Sequence, residues 1–216
     1  MEIIFFDVAN TLLHKPGLFN QVVSVLKKHR LDLPVEHLRK THKWLSEVIE
    51  FPARTSRGFY REFNREYLFS LGINPSDGLV EEIFNECKYL PWKAFDDVVA
   101  LNDLNLPMGI ISNWDSSLGE KLKEHVGARF DIVIGSQDFG ASKPDPAIYR
   151  EAIKRSQSAP EKILYIGDSI KLDMNVALEQ GMRAVLIDRD DVYPYYPGER
   201  IRSLNELQQI IQGSSD

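Results

Sequence analysis

The stretch that most constrains the fold is the first: Met1-Glu2-Ile3-Ile4-Phe5-Phe6, an apolar, β-branched and aromatic run that ends on Asp7. A run with no polar alternation reads as a strand covered on both faces, as in a parallel sheet. Such a strand delivers the residue after it to the carboxyl edge of the sheet, where open α/β folds place their ligands. A carboxylate at that edge has two chemical uses. It can attack a phosphorus or carbon centre, or it can bind a cation. Taken alone, Asp7-Val8-Ala9-Asn10-Thr11 reads as an aspartate opening a turn, so partners elsewhere in the chain have to decide.

Further along, apolar positions recur at three- and four-residue steps. They predict helices over about 18–30, 34–51, 56–71 and 75–89, with Pro34 in a first turn, Gly72 as a stop and Pro91 after the last. Phe59, Phe63, Tyr67 and Leu71 form one stripe; Leu79, Ile83, Phe84 and Cys87 form another, and Trp44 is expected to pack in the same helical core. No strand is predicted between 15 and 92. The pattern then alternates. A helix over 94–105, through Val98, Val99, Leu101 and Leu104, precedes a strand at Met108–Ile111. A helix over 116–125 is followed by a strand over 130–134 and a loop over 135–144. Next come a helix over 146–156, a strand at Ile163–Ile166, a helix over 170–180 closed by Gly181, a strand at Arg183–Ile187 and a last helix over 204–211. Strands alternating with helices of this length predict a parallel α/β sheet. Residues 1–14 and 93–216 then form the α/β domain, and 15–92 is a helical insertion just after the first strand, where a lid over the Asp7 edge belongs.

Composition narrows the function. A chain of 216 residues that is 43% hydrophobic can bury a core. The net charge is −6 with no basic stripe, which argues against a nucleic-acid partner. The single cysteine, Cys87, allows no internal disulfide and reads as helix packing. No run is long and apolar enough to span a bilayer, and Glu2 and Asp7 spoil a signal peptide, so a cytoplasmic protein without membrane contact is expected. His14, His29, His37, His42 and His125 lack zinc-like spacing.

Four polar elements fall at equivalent places, after strands or leading into helices: Asp7; Ser112-Asn113; Lys143; and Asp168 with Asp173. Singly, Ser112-Asn113 is a turn, Lys143 a solvated loop lysine and Asp168 a helix cap. Together, three carboxylates and one ammonium leave a surplus of negative charge. A divalent cation brings the group to about neutral, and oxygen ligands favour a hard one, Mg²⁺. Asp145-Pro146 has the plainer reading of cap and first-turn residue.

The same residues resemble the haloacid dehalogenase superfamily, mostly phosphatases, and its branch described only as dehalogenase-like hydrolases. Ile3 to Leu12 is similar to the strand plus D-x-D-x-T-L motif, and Ile110-Ile111-Ser112-Asn113 to the strand ending in Ser or Thr. Ser142-Lys143-Pro144-Asp145-Pro146 with Ile148-Tyr149 is similar to K-P-D-P-x-[IF]-[YF]. Tyr165 to Asp173 with Ala177 and Gly181-Met182 is similar to G-D-S-x-x-x-D and its A-x-x-x-G-M tail. The resemblance implies a Rossmann-like parallel core with an inserted α-helical cap, and a Mg²⁺-dependent phosphatase of a small phosphorylated metabolite. It implies Asp7 as nucleophile, with Lys143 neutralising Asp7 and the transferring group. The Ser112 hydroxyl and the Asn113 backbone N–H would hold a phosphate oxygen. The metal ligands it implies are Asp7, the Ala9 carbonyl and Asp168, with Asp173 direct or one step removed.

Ala9 departs from the pattern. Phosphatases of the family carry there the aspartate that protonates the leaving group and activates water. Three readings stay open: a phosphatase weak on alkyl esters; a phosphonatase- or dehalogenase-like hydrolase, the former with Lys40 or Lys43 as a lid lysine; and a non-catalytic Mg²⁺- and anion-binding protein. Asp115, the nearest spare carboxylate, reads as the cap of the helix at Ser116. Arg54, Arg57 and Tyr60 around Gly58 read either as an anion contact of the lid or as an interhelix turn. Val192 to Pro197 reads as a packed loop or a site rim.

Overall fold

The computed structural model describes residues 1–51 and 55–213. In chain order its strands are β1 (Ile3–Phe6), β2 (Leu13–His14), β3 (Lys93–Ala94), β4 (Met108–Ser112), β5 (Ile132–Gly135), β6 (Ile163–Gly167), β7 (Arg183–Ile187) and β8 (Glu199–Ile201). The α-helices are α1 (Leu18–Lys28), α2 (Val35–Val48), α3 (Arg57–Ser70), α4 (Asp77–Cys87), α5 (Leu118–His125), α6 (Ser136–Phe139), α7 (Pro146–Ser156), α8 (Asn175–Glu179) and α9 (Leu207–Gln212). The chain divides into two compact units, Met1–His14 with Ala94–Asp216, and Lys15–Lys93.

The first unit is built on a parallel sheet of six strands in the order β5-β4-β1-β6-β7-β8. Every residue of β1 is buried, and so is every residue of β4 and β6. That is what a strand covered on both faces requires, and it is why their sequences are continuous apolar runs. From β1 the chain builds outward through β4 to β5, then returns across β1 to build outward through β6, β7 and β8. The direction of winding therefore reverses at the β1–β6 pair, the place where such sheets open a crevice beyond their strand ends. Phe6 pairs with Ile166 and with Ile110. That register brings Asp7, Asp168 and Ser112 out at one edge. Phe5, Ile111, Ile148, Tyr149 and Tyr165 share one buried cluster on a face of the sheet.

The second unit has its own core, with Val22, Leu26, Leu38, Phe63, Tyr67 and Ile83 among its buried side chains. The Ser56 and Ser76 hydroxyls accept from the backbone N–H groups of Phe59 and Leu79 and so cap α3 and α4. Gly72, at φ +74°, ends α3 in the left-handed conformation that glycine adopts without strain. The buried Tyr67 hydroxyl donates to the Leu38 carbonyl at 2.8 Å. Cys87 is half-buried against this core.

Several expectations need correction. Trp44 is 48% exposed. The segment expected as an α-helix over 94–105 is a 3₁₀ helix, Asp96–Asp103. With three residues per turn, Val98 and Leu101 share the buried side while Val99 turns outward. The expected loop over 135–144 contains α6, and the helix expected from Ser116 starts at Leu118. The helix over 170–180 begins as a π-turn, Ile170–Met174, before α8. The last helix begins with a 3₁₀ turn at Leu204–Glu206. Sequence periodicity missed β2, β3 and β8. The first two have two residues each, and β8 is a short charged edge strand, as exposed edges favour. The expectation on Arg54 lies outside the described residues.

Candidate active site

At the carboxyl edge of β1, Asp7 is buried. Its backbone N–H still donates to the Ile166 carbonyl at 2.8 Å, so the sheet ladder holds the residue up to its Cα. The chain then turns back: Leu12 and Leu13 both donate to the Val8 carbonyl, and Asn10 takes φ 60°. Asparagine tolerates that left-handed conformation better than most residues. Arg189, just beyond β7, donates to the Thr11 carbonyl at 2.8 Å and makes two hydrogen bonds to Asp97 at 2.7 and 3.0 Å. These bonds anchor the loop that follows Asp7.

Two donors meet on one Asp7 oxygen, Oδ1: the Ser112 hydroxyl at 3.0 Å and the Lys143 ammonium at 2.8 Å. Oδ2 has no donor among the described residues. Lys143, which taken alone reads as a solvated loop lysine, is buried. Its loop is held by Asn113, whose Oδ1 accepts from the Lys143 N–H at 2.7 Å and whose Nδ2 donates to the Lys143 carbonyl at 2.9 Å. That side-chain clamp is a role for Asn113 distinct from the one expected of its backbone. Asp145 caps α7 through the Ala147 N–H at 2.8 Å.

Asp173 comes from the π-turn after β6. The wider turn lets both Asp173 and Met174 donate to the Ser169 carbonyl, and the Asp173 side chain points into the site. Its Oδ1 receives the Lys143 ammonium at 2.6 Å and the Tyr165 hydroxyl at 3.0 Å; its Oδ2 receives the Ser169 N–H at 3.0 Å. Asp7, Asp168 and Asp173 are all buried, and each offers a carboxylate oxygen within 4.8 Å of the others. Burial pushes the Asp7 carboxyl up to about 6, against the pull of the Lys143 charge. Lys143 is held well above the usual lysine range: Asp173 and Asp7 outweigh the desolvation that would lower it. Three carboxylates facing one ammonium leave an excess of acid that a hard cation would offset, so this donor set fits such an ion.

The structure therefore brings Asp7, Ser112, Asn113, Lys143, Asp168 and Asp173 together, with Ala9 on the turn beside Asp7. Asp115 is not drawn in: it is exposed, and its Oδ1 accepts from the Ser117 N–H and hydroxyl in the turn before α5. Sequence reasoning missed Tyr165 and the Asn113 side chain. For Tyr165 there was a signal, a hydroxyl inside an otherwise aliphatic buried strand, which must find a partner.

The family described as haloacid dehalogenase-like hydrolase matches residues 1–181. The chain belongs to the haloacid dehalogenase-like hydrolases. It is an enzyme of the hydrolase class. It is 28% identical over 151 residues to the haloacid dehalogenase-like hydrolase domain-containing protein 3 of Danio rerio, covering 65% of this chain and 62% of that protein. It is 25% identical over 233 residues to the phosphoglycolate phosphatase of Escherichia coli (strain K12), covering 99% and 89%. Among solved structures, a HAD phosphatase from Thermococcus onnurineus superposes with TM-score 0.59 at 23% identity, covering 99% of each chain. The putative HAD-hydrolase YfnB of Bacillus subtilis, bound to magnesium, superposes with TM-score 0.67 at 18% identity, covering 97% and 98%. At these identities the structural likeness speaks for the fold. No helix among the described residues is long and apolar enough to cross a membrane.

Proposed function

We propose that this hydrolase is a Mg²⁺-dependent phosphatase of small phosphorylated metabolites, working through an aspartyl-phosphate on Asp7. The single observation that carries the reading is the Lys143 ammonium, hydrogen-bonded to Asp7 Oδ1 at 2.8 Å inside a cluster of three buried carboxylates. An anion-accepting site needs that carboxylate surplus offset, and the phosphatase relatives point the same way. Asp7, the Ala9 carbonyl, Asp168 and Asp173 would hold the cation. When bound, the ion supplies positive charge that lets a phosphate dianion approach a carboxylate.

The chain's own groups do the rest. Lys143 and Ser112 fix the Asp7 carboxylate through Oδ1, which orients Oδ2 for attack on phosphorus. As the new bond to Oδ2 forms, the bond to the leaving oxygen breaks, and that oxygen departs with the electron pair. Lys143 balances the charge that builds on the transferring oxygens. The Asn113 N–H holds one of those oxygens, and the Ser112 hydroxyl, which in the free site donates to Asp7 Oδ1, would have to turn its one proton to that oxygen to join it. Water then releases phosphate from Asp7. The helical insertion, residues 15–92, acts as the cap that selects the substrate.

Ala9 sets the limit. With no acid at that position the leaving oxygen departs unprotonated, and alkyl esters lose roughly 10²–10⁴ in rate. Aryl phosphates, which leave readily as anions, should be the better substrates. The phosphonatase alternative gains no support from its candidate lysines: Lys40 pairs with Glu36 and Lys43 with Glu47 along α2.

The test is aryl phosphate turnover with Mg²⁺, with EDTA and with Ala9→Asp. Weak wild-type turnover that EDTA abolishes and Ala9→Asp raises is the expected result. Metal-independent turnover, or none even with Ala9→Asp, overturns the reading.

A further inference from the structure

We propose that Tyr165 is a positioning residue of this site: its hydroxyl is the third acceptor of the Lys143 ammonium and fixes the direction in which that ammonium meets Asp7. The inference rests on the phosphatase reading for its effect on turnover, but not for the placement itself.

A lysine ammonium has three N–H donors and no acceptor. Lys143 is buried, so water is not there to take an unused N–H, and a buried unused donor is unfavourable. Three acceptors stand around Nζ: Asp7 Oδ1 at 2.8 Å, Asp173 Oδ1 at 2.6 Å and the Tyr165 oxygen at 3.3 Å. They come from two separated parts of the chain, Asp7 after β1 and Tyr165 with Asp173 on β6 and the turn after it, and account for all three donors. The tyrosine oxygen is free to accept because its own proton has other destinations, Asp173 Oδ1 at 3.0 Å and the Ile111 carbonyl at 3.2 Å. One hydroxyl thus links Lys143, Asp173 and the end of β4.

The strand explains why the residue can do this. Tyr165 is the middle residue of β6, paired with Phe5 of β1 and Ala184 of β7. It is fully buried, and its ring lies 5.3 Å from that of Tyr149. The ring is therefore fixed, and its hydroxyl cannot follow a moving lysine. Lys143 has long, flexible methylene arms, and a fixed third acceptor removes the freedom to rotate about its contact with Asp173. Without it, the ammonium is held by two carboxylates alone and can swing toward the closer one, Asp173, and away from Asp7.

Tyr165→Phe keeps the ring and removes only the oxygen. Loss of one hydrogen bond to a charged group corresponds to a fall in kcat for an aryl phosphate of about 10–100-fold, with KM changed far less. The same substitution in a Lys143→Met background should lower the residual turnover by a much smaller factor than it lowers that of wild type, whereas a merely structural tyrosine would lower it equally in both. A readout without turnover is the ¹H–¹⁵N signal of the lysine side-chain ammonium groups. Wild type should show one slowly exchanging signal, absent in Lys143→Met, and Tyr165→Phe should shift it or lose it to exchange. A Tyr165→Phe protein with wild-type kcat, or with the Lys143 signal unmoved, overturns the proposal. If wild type turns over no phosphate ester, the phosphatase reading fails, and the ammonium signal alone decides the role of Tyr165.

Discussion

Lys143 shows how one charge decides the state of its neighbours. It is the cation that both Asp7 and Asp173 touch, at 2.8 and 2.6 Å, and all three side chains are almost wholly withdrawn from water. Removing one partner of such a group leaves like charges buried together, at about 3–5 kcal/mol. Lys143→Met should therefore destabilise the metal-free protein by that order at pH 7, read by denaturant unfolding. A divalent cation brings charge of the same sign, so Mg²⁺ should raise the melting temperature of the variant more than that of wild type. A variant as stable as wild type without metal would overturn this account of the Lys143 charge.

Between residue and domain, the junction of β6 with its π-turn decides whether Asp173 reaches the site. Gly167 closes the strand and Asp173 folds back over it: a Cβ built on Gly167 would overlap the Asp173 carboxyl group. The glycine is needed for space, with the Asp173 side chain occupying the volume that any other residue would fill. Gly167→Ala should displace Asp173 from Lys143 and Tyr165 at about 1–3 kcal/mol. It should also abolish the aryl phosphate turnover proposed above, checked by unfolding and by assay on one preparation. Retained turnover would mean that the π-turn relaxes without moving Asp173. The Asp188 carboxylate organises a second junction, accepting from the Val192 and Tyr193 N–H groups and from Arg200. This is how the aromatic loop after β7 packs Tyr193 and Tyr196 inward while Tyr195 stays 96% exposed.

At the scale of the whole molecule, the two units keep separate cores, and their stabilities need not respond alike to pH. His42 sits in the helical unit among Phe19, Phe63 and Tyr67, with ring centroids 5.0–5.5 Å away. Burial, aided by the Lys43 charge, pushes its imidazole down from 6.5 to about 4. The unfolded chain takes up a proton near 6.5 that the folded unit refuses until about 4, so stability falls as pH drops through that interval. Between pH 7 and pH 5 the loss is about 2 kcal/mol. His42→Leu should remove that part of the pH dependence, seen by comparing unfolding of wild type and variant at both pH values. Equal slopes would show that His42 is protonated in the folded state.

Much of this was legible in the residues themselves. Ile3 to Phe6, Met108 to Ile111 and Ile163 to Ile166 have no polar alternation, and a strand of that kind is stable only when covered on both faces. The parallel sheet and the edge carrying Asp7, Ser112 and Asp168 follow from local hydrophobic pattern. The stop at Gly72 was legible for the same reason, because a glycine after a helix satisfies backbone groups a few residues away. What the sequence could not carry were partners chosen across long separations: the Asn113 amide on the Lys143 backbone, the Tyr165 hydroxyl on Asp173, Arg189 on Asp97 and Thr11. Hydrogen bonds between residues far apart leave no period in a sequence. The 3₁₀ turn after β3 and the π-turn after β6 escaped as well, since their pitch departs from the α-helical spacing that the pattern assumes. The chain's own order thus determined the sheet and the edge, and tertiary contact decided which groups meet there and in what orientation.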